Sequence, residues 1–260
     1  MRRSMYSTRK WFWLMFQGDL GNSIYGSHIP VAQEIVEALP RTLSLASLGF
    51  LIALIIAVPA GLIAATRRGS WADHAVTTAA FLGLSMPDFW TGILLIILFA
   101  ATLHWLPAIG YVPLSGGFWP WLSHLILPAV AVGTTFSAII ARMIRSGHAG
   151  GAEDRLHAGR ARQGPRRKST LILRHAFPNA LIPVVTVMGI AFALLMAGAV
   201  VVENVFAIKG LGRMLIQGIL NRDYPAVQGA VLVISAIFVF SNLLVDLLYT
   251  VIDPRIRYDK

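Results

Sequence analysis

Long apolar stretches separated by short polar breaks dominate the hydropathy pattern of this chain. A membrane-spanning helix requires about 20 predominantly apolar residues. Five stretches reach that length, and every Lys and Arg lies outside them. The predicted spans are residues 44–66, 75–103, 121–140, 179–202 and 226–252. The pattern predicts an all-α polytopic membrane protein, with an extracytoplasmic segment at residues 1–43 and a transmembrane domain at residues 44–260.

The second apolar stretch is interrupted at Pro87-Asp88. Proline removes a helical N–H and clashes with the preceding turn, so we expect the helix to bend or restart there. A carboxylate inside an apolar span is costly enough to indicate a function, such as facing a cationic substrate in a transport path. The alternative, which we favour, is that Asp88 caps the helix that restarts after the proline.

Basic residues set the predicted orientation, because cytoplasmic loops of membrane proteins carry an excess of Lys and Arg. Arg67 and Arg68 follow the first span, nine basic residues lie within residues 142–174, and three more follow Asp253, so that 14 of 22 occupy one side. The break at residues 105–120 contains neither Lys nor Arg and is flanked by tryptophans. We therefore assign it to the outer side.

Composition excludes several other classes of protein. With 56% hydrophobic residues, 13% charged residues and a mean hydropathy of +0.68, the chain has too little polar surface for a soluble globule. The net charge of +10 could indicate nucleic-acid binding, but the basic residues adjoin spans and lack interleaved aromatic residues for base stacking. A lipid bilayer, not nucleic acid, is the predicted environment.

No pattern in the chain indicates catalysis, a cofactor or a metal. Gly159 and Gly164 have the spacing of a phosphate-binding loop, but Pro165 occupies the position of its lysine. The absence of cysteine excludes a thiolate site. Three histidines of one polar loop lack the spacing of metal ligands, and we interpret them as solvated: His148, His157 and His175. Any ATP hydrolysis must therefore come from a separate subunit.

Short polar motifs recur in a fixed order along the second half of the chain. They are Arg174-His175-Ala176-Phe177-Pro178-Asn179 with Pro183, Glu203-Asn204, Gly210-Leu211-Gly212-Arg213, Arg222-Asp223-Tyr224-Pro225 with Gln228, and Asp253-Pro254-Arg255. In this order and spacing the chain closely resembles the permease subunits of ABC importers for dipeptides, oligopeptides and nickel. Upstream landmarks of the same family include Leu39-Pro40-Arg41-Thr42 and Ser85-Met86-Pro87-Asp88.

The resemblance implies a multi-pass permease of a bacterial or archaeal cytoplasmic membrane that is not itself an enzyme. Its expected partners are a second homologous permease, two ABC ATPase subunits and an extracytoplasmic substrate-binding protein. Glu203 matches a family position and is expected to anchor the external loop that follows, with Lys209 or Arg213 as its ionic partner. Asp246, near the inner end of the last span, is expected to pair with the basic tail.

Two features depart from the family. The family has a further span ahead of residues 1–43, so we interpret the chain as lacking its first span, with an interfacial helix around residues 11–16 as the alternative. The cytoplasmic loop at residues 142–178 corresponds to the segment that couples to the ATPase. Its candidate coupling residues are Glu153, Asp154, Leu156, Gly164, Arg174, His175, Asn179 and Pro183.

The first part of that loop reads poorly as a coupling helix. Three of the five residues 147–151 are glycine, each costing about 1 kcal/mol in a helix, and residues 147–165 show no apolar stripe of helical period. A reading-frame slip near Gly147 would account for this. We expect the stretch as written to couple weakly to an ATPase, and sequencing the gene there tests the slip.

Two other functions remain open from the sequence. A secondary transporter or channel would need inverted repeats or intramembrane ion-coupling charges, and the chain offers only Asp88 and Asp246. A non-functional relic of a permease gene would account for both departures from the family. The substrate, whether peptide or nickel, is not encoded in any motif that we recognise.

Overall fold

The computed structural model describes residues 13–15, 17–25, 29–158, 189, 192, 195 and 199–252, with backbone only at residues 147–158 and at several positions after 244. Regular structure in these residues is helical. The helices are α1 (Val31–Thr66), α2 (Trp71–Ser85), α3 (Asp88–Leu95, extended by a π-helical stretch, Ile96–Thr102), α4 (Phe118–Ala158), α5 (Leu211–Leu220) and α6 (Tyr224–Ile252). The all-α prediction is confirmed.

Helix α1 begins 13 residues before the predicted first span and continues without a break across residue 43. Its N-terminal end carries Glu34, Glu37 and Arg41, while Val31 and Ile35 of the same turns are buried. Because of these charges the predicted apolar span began only at residue 44. The helix nevertheless starts at Val31, since its first turns are amphipathic. Residues 31–43 are thus continuous with the first span.

The second predicted span is broken where the sequence indicated. Helix α2 ends at Ser85, α3 begins at Asp88, and the two helices are bent by 98°. Pro87 has the extended backbone of a helix N-cap (φ −62°, ψ 143°). The bend is therefore a complete break in helical hydrogen bonding at the proline.

Helices α1 and α4 form the core of the structure and approach each other through glycine. A Cβ on Gly133 of α4 would lie 2.7 Å from the carbonyl oxygen of Gly49 on α1, and one on Gly61 would lie 2.8 Å from Cβ of Ile144. Small residues permit such close helix packing in membranes. Around this contact lie the largest buried side chains of the core, Leu45, Leu125, Ile140, Leu195 and Phe206.

Helix α4 extends to Ala158, well past the predicted end of the third span at residue 140. The expectation that glycine disfavours helix after residue 146 is wrong for the backbone of residues 147–158. Extension of an existing helix requires no new nucleation, and residues 147–158 continue a helix that is already formed upstream. Residues 159–178 of the predicted coupling loop lie outside the described residues.

Within the described part of the chain, three helices have the length and apolar character of a membrane span: Val31–Thr66, Phe118–Ser146 and Tyr224–Leu244. The bent pair of α2 and α3 with its π-helical extension makes a fourth if it counts as one span. The fourth predicted span lies almost entirely outside the described residues. The apolar stretch of α4 is 67% buried and that of α6 is 17% buried, so α4 is central and α6 peripheral.

Candidate functional site

A buried carboxyl group connects three segments on the predicted outer side. Glu203, which is fully buried, lies near the end of helical residues 199–205. Its Oε1 accepts a hydrogen bond from the Thr42 hydroxyl of α1 at 2.6 Å, and its Oε2 accepts one from the backbone N–H of Arg213 at 3.0 Å. The Thr42 hydroxyl in turn accepts from the N–H of Leu211 at 2.8 Å. We call these four residues the Glu203 hub.

The Glu203 hub supplies hydrogen-bond acceptors to backbone N–H groups at the N-terminus of helix α5. The first N–H groups of a helix have no partner within it and carry partial positive charge, and here a carboxyl and a hydroxyl oxygen receive two of them. The expected ion pair is wrong, because Arg213 contacts Glu203 through its backbone and Lys209 offers only its carbonyl oxygen, to Arg41 at 2.9 Å. The expectation that Glu203 anchors the following segment fits this geometry.

Two glycines of the family motif make room for the hub. A Cβ on Gly210 would collide with the Glu203 carboxyl group, and one on Gly212 would collide with the backbone of Val200. Both positions therefore require glycine because neighbouring atoms leave no room for a side chain. Backbone strain is not the reason, since Gly210 has an ordinary φ of −94° and Gly212 is part of helix α5.

A second buried carboxylate, Asp223, lies between α5 and α6. Oδ2 accepts from the Ser23 hydroxyl and, at 3.3 Å, from the N–H of Tyr25, while Oδ1 accepts from the N–H of Ala226 at 3.3 Å. Burial raises the pKa of this carboxyl, but the hydrogen bonds to Ser23 and to the backbone outweigh burial, so the pKa lies below its ordinary value. Asp223 thus ties residues 23–25 to the start of α6.

Three other predicted motif residues lie at the start of α6, and their structural role stays a prediction. Tyr224 begins α6 with an exposed side chain, Pro225 lies in its first turn near Gly21, and Gln228 is exposed. Asp253, Pro254 and Arg255 lie outside the described residues, and the side chain of Asp246 is likewise not described.

An open cavity of about 290 Å³ lies on this side between α1, α5 and residues Ser23, Tyr25 and Ile29. Both signs of charge line it, with three acidic and three basic side chains: Glu34, Glu37, Asp223, Arg41, Lys209 and Arg213. Such a lining can contact cationic, anionic or zwitterionic groups, and it does not favour a ligand of one net charge.

Asp88 meets α4 in the middle of the structure. It is the first residue of α3 and makes no side-chain capping hydrogen bond; the cap position is occupied by Pro87. Instead, the Thr135 hydroxyl of α4 donates to its Oδ1. The capping interpretation is therefore wrong, and the proposal that Asp88 lines a transport path remains a prediction.

On the predicted inner side, the sequence missed an ion pair between α2 and α4. Nε of Arg145 donates to Oδ1 of Asp73 at 2.6 Å, and Nη2 donates to Oδ2 at 3.0 Å. Asp73 is 1% exposed, and the backbone N–H of Gly69 also donates to its Oδ2 at 3.0 Å. One local signal was present, because Ser70 followed three residues later by an acidic residue is a helix-start pattern.

Three of the eight candidate coupling residues lie in the described part of the chain. Glu153, Asp154 and Leu156 lie on the helical backbone of α4. The remaining five lie outside the described residues: Gly164, Arg174, His175, Asn179 and Pro183. Their role stays a prediction. In the described part of the chain, no group of three or more His, Asp or Glu side chains is placed to hold a metal ion.

Comparison with known proteins relates this arrangement to transport systems. A family model described as "binding-protein-dependent transport system inner membrane component" matches residues 57–258. A protein of Brucella abortus named as a permease of a peptide transport system is 46% identical over 250 residues, covering 96% of this chain and 79% of that protein. The dipeptide transport system permease protein DppB of Escherichia coli K12 is 40% identical over 276 residues, with 96% and 80% covered.

Solved structures of ABC transporters share the fold. An inward-facing conformation of the MetNI methionine ABC transporter superposes with a TM-score of 0.66 at 16% sequence identity, covering 85% of this chain and 97% of that chain. An amino acid ABC transporter gives a TM-score of 0.58, also at 16% identity, with 86% and 94% covered. At this identity the likeness concerns the fold alone.

Proposed function

Because the chain belongs to the family of binding-protein-dependent transport system inner membrane components, we propose that it is the permease subunit of an ATP-driven importer of short peptides. Members of this family are membrane components and do not themselves carry out catalysis. The observation that carries the proposal is the similarity over 96% of the chain to relatives named for peptide and dipeptide transport. Nickel is the alternative cargo.

The geometry supports a role in which the predicted outer side of the structure receives the substrate, and the predicted inner side is displaced by the ATPases. The outer cavity and the Glu203 hub lie at the end where a binding protein would deliver its cargo. The Asp73–Arg145 pair lies at the opposite end, beside the segment that would contact an ATPase. A second permease, two ATPases and a binding protein complete the proposed assembly, and alternating access would arise from rocking of the spans.

Reconstituted transport tests this proposal. The chain is co-purified with a second permease, ATPases and a binding protein from the same organism, and placed in proteoliposomes that enclose ATP. Uptake of a radiolabelled dipeptide is measured with the binding protein outside. We expect ATP-dependent accumulation, and none with a catalytically inactive ATPase.

Three results would contradict parts of the proposal. Uptake of radioactive nickel but not of dipeptide would replace the cargo. Uptake driven by an ion gradient without ATP would identify a secondary transporter. No uptake of either cargo by a fully assembled complex would support the interpretation of a non-functional chain.

A further inference from the structure

Helices α2 and α3 touch α4 along a continuous track that ends at the Asp73–Arg145 pair. The Asp88 side chain meets Thr135, and a Cβ on Gly83 would lie 3.8 Å from both Cβ of Ala138 and the carbonyl oxygen of Thr134. The pair fixes the inner end of this track. Positions 135 and 145 of α4 are separated by about 15 Å at 1.5 Å per residue.

The Asp73–Arg145 contact is built for rigidity. A bidentate arginine–carboxylate pair fixes orientation as well as distance, and Asp73 is also held by the N–H of Gly69 and, at 3.4 Å, by the hydroxyl of Thr77. Among the described residues it is the one ion pair. The guanidinium on α4 is held by a carboxylate in the first turn of α2, which is itself held by the backbone of Gly69 in the α1–α2 turn.

Helix α4 is continuous from Phe118 to Ala158. Arg145 therefore lies on the same helix as the backbone that leads into the predicted coupling loop. A displacement applied beyond Ser146 would move Arg145, and the ion pair would carry the α1–α2 turn and α2 with it. The next break in the helical chain is at Pro87, where α2 could rotate relative to α3 as it follows α4.

We infer that Asp73 and Arg145 are positioning residues that make α2 move together with α4 when the ATPases act on the segment after Ser146. This inference rests on the proposed function. Loss of the pair would leave each helix intact but would let α4 move without α2. The ATPases would then still hydrolyse ATP, but the displacement of α4 would no longer reach α2. Less peptide would be transported for each ATP hydrolysed, because the free energy that couples the two sites would be smaller.

The first test measures the link itself on the full chain in lipid nanodiscs. The chain contains no cysteine, so spin labels attach only at introduced sites, Leu82→Cys on α2 and Met143→Cys on α4, both exposed in the structure. With Arg145 present, we expect a narrow distance distribution between the labels. Arg145→Ala should broaden it, and Arg145→Lys should lie between the two.

The matched control is Arg142→Ala, which removes an exposed arginine three residues earlier on the same helix. It should leave the distribution unchanged. A distribution in Arg145→Ala that equals that of the control overturns the inference. This measurement requires no transport, so its result stands apart from the fate of the proposed function.

The second test separates positioning from mere stability in the reconstituted importer. We expect Arg145→Ala to raise the number of ATP molecules hydrolysed per peptide imported by about tenfold, within the usual range of coupling between sites. Arg68→Ala, which removes an exposed arginine outside the predicted coupling loop, should not change it. A purely structural role would lower hydrolysis and uptake in parallel, with the ratio unchanged, and would overturn the inference. Failure of the unaltered assembly to transport would count against the proposed function alone.

Discussion

The hydroxyl of Thr42 donates a hydrogen bond to Oε1 of the buried Glu203 carboxyl at 2.6 Å, across 161 residues of sequence. The hydroxyl oxygen of Thr42 also accepts a hydrogen bond, from the backbone N–H of Leu211 at 2.8 Å. One side chain on α1 thus satisfies both the carboxyl group and the first turn of α5. The outer ends of three segments are held together by polar contacts in a buried position, where unpaired polar groups are costly.

Thr42→Val tests this contact, because valine has nearly the same shape but lacks the hydroxyl. It leaves the N–H of Leu211 and Oε1 of Glu203 without this partner, at about 1–3 kcal/mol for each buried group. We expect a lower unfolding temperature of the purified chain in detergent. Thr66→Val is the control, since Thr66 is exposed on the same helix and its hydroxyl bonds to the helix's own Leu62 carbonyl; an equal effect of the two variants would contradict the prediction.

Gly212→Ala tests the close approach of α5 to residues 199–205. The added methyl group would collide with Val200 backbone that cannot easily move, and Cβ of Val200 would lie only 2.9 Å away. Overpacking of this kind costs about 1–3 kcal/mol, so the midpoint of thermal unfolding should fall.

Gly83→Ala provides the matched control for Gly212→Ala. Its Cβ would find ordinary contacts at 3.8 Å on α4, and alanine favours helix over glycine by about 1 kcal/mol. Its stability should be unchanged or higher. A stable Gly212→Ala protein would show that the segment before α5 can shift to accept a side chain.

The hydropathy pattern predicted helices well and polar contacts poorly. The break at Pro87 was predictable because proline acts locally on its own helix. The partner of Asp88 was not, since Thr135 lies 47 residues away and nothing in either sequence neighbourhood indicates the other. The same holds for Asp73 and Arg145, since Arg145 entered the sequence analysis only as one of the basic residues that indicate topology.

The hub shows the same limit in a different form. The sequence identified Glu203 through its place in an ordered motif, and opposite charge suggested Lys209 or Arg213 as partners. The structure uses the backbone N–H of Arg213 and a hydroxyl from α1 instead. Backbone donors at a helix start carry no sequence signal of their own, because every residue other than proline supplies one.

Acid should weaken the contact between residues 23–25 and α6. The pKa of Asp223 is lowered in the folded chain, so the ionised carboxylate contributes stability at every pH above its ordinary value of about 3.9. That contribution is lost as the pH falls below this value and through the lower folded pKa. The difference in stability between the unaltered chain and Asp223→Asn should thus be constant from pH 5 upward and should shrink below about pH 4.

Thermal unfolding followed at several pH values measures this difference. Glu37→Gln, at an exposed position on α1, is the control for a general loss of negative charge. A difference between the unaltered chain and Asp223→Asn that does not change between pH 6 and pH 3 would mean that the pKa of Asp223 is the same in the folded and unfolded chain, and would contradict the prediction.

The last prediction concerns the path of α2 and α3, which the 98° bend leaves as either a broken span or a re-entrant loop. The contacts with α4 favour a span. Asp73 lies beside residue 145, Gly83 beside Ala138, and Gly92 beside Ala131. The chain therefore advances steadily towards the opposite end of α4, whereas a re-entrant loop would turn back.

Reporter fusions after Gly69 and after Gly116 decide between the two paths. Gly69 lies in the α1–α2 turn after Arg67 and Arg68, and Gly116 lies shortly before α4 begins at Phe118. We expect alkaline phosphatase to be active only after Gly116 and a cytoplasmic fluorescent protein to be active only after Gly69, because basic residues stay inside. Activity of the same reporter at both sites would establish the re-entrant path, and the reverse pattern at both would invert the whole topology, including the assignment of the Glu203 hub to the outer face.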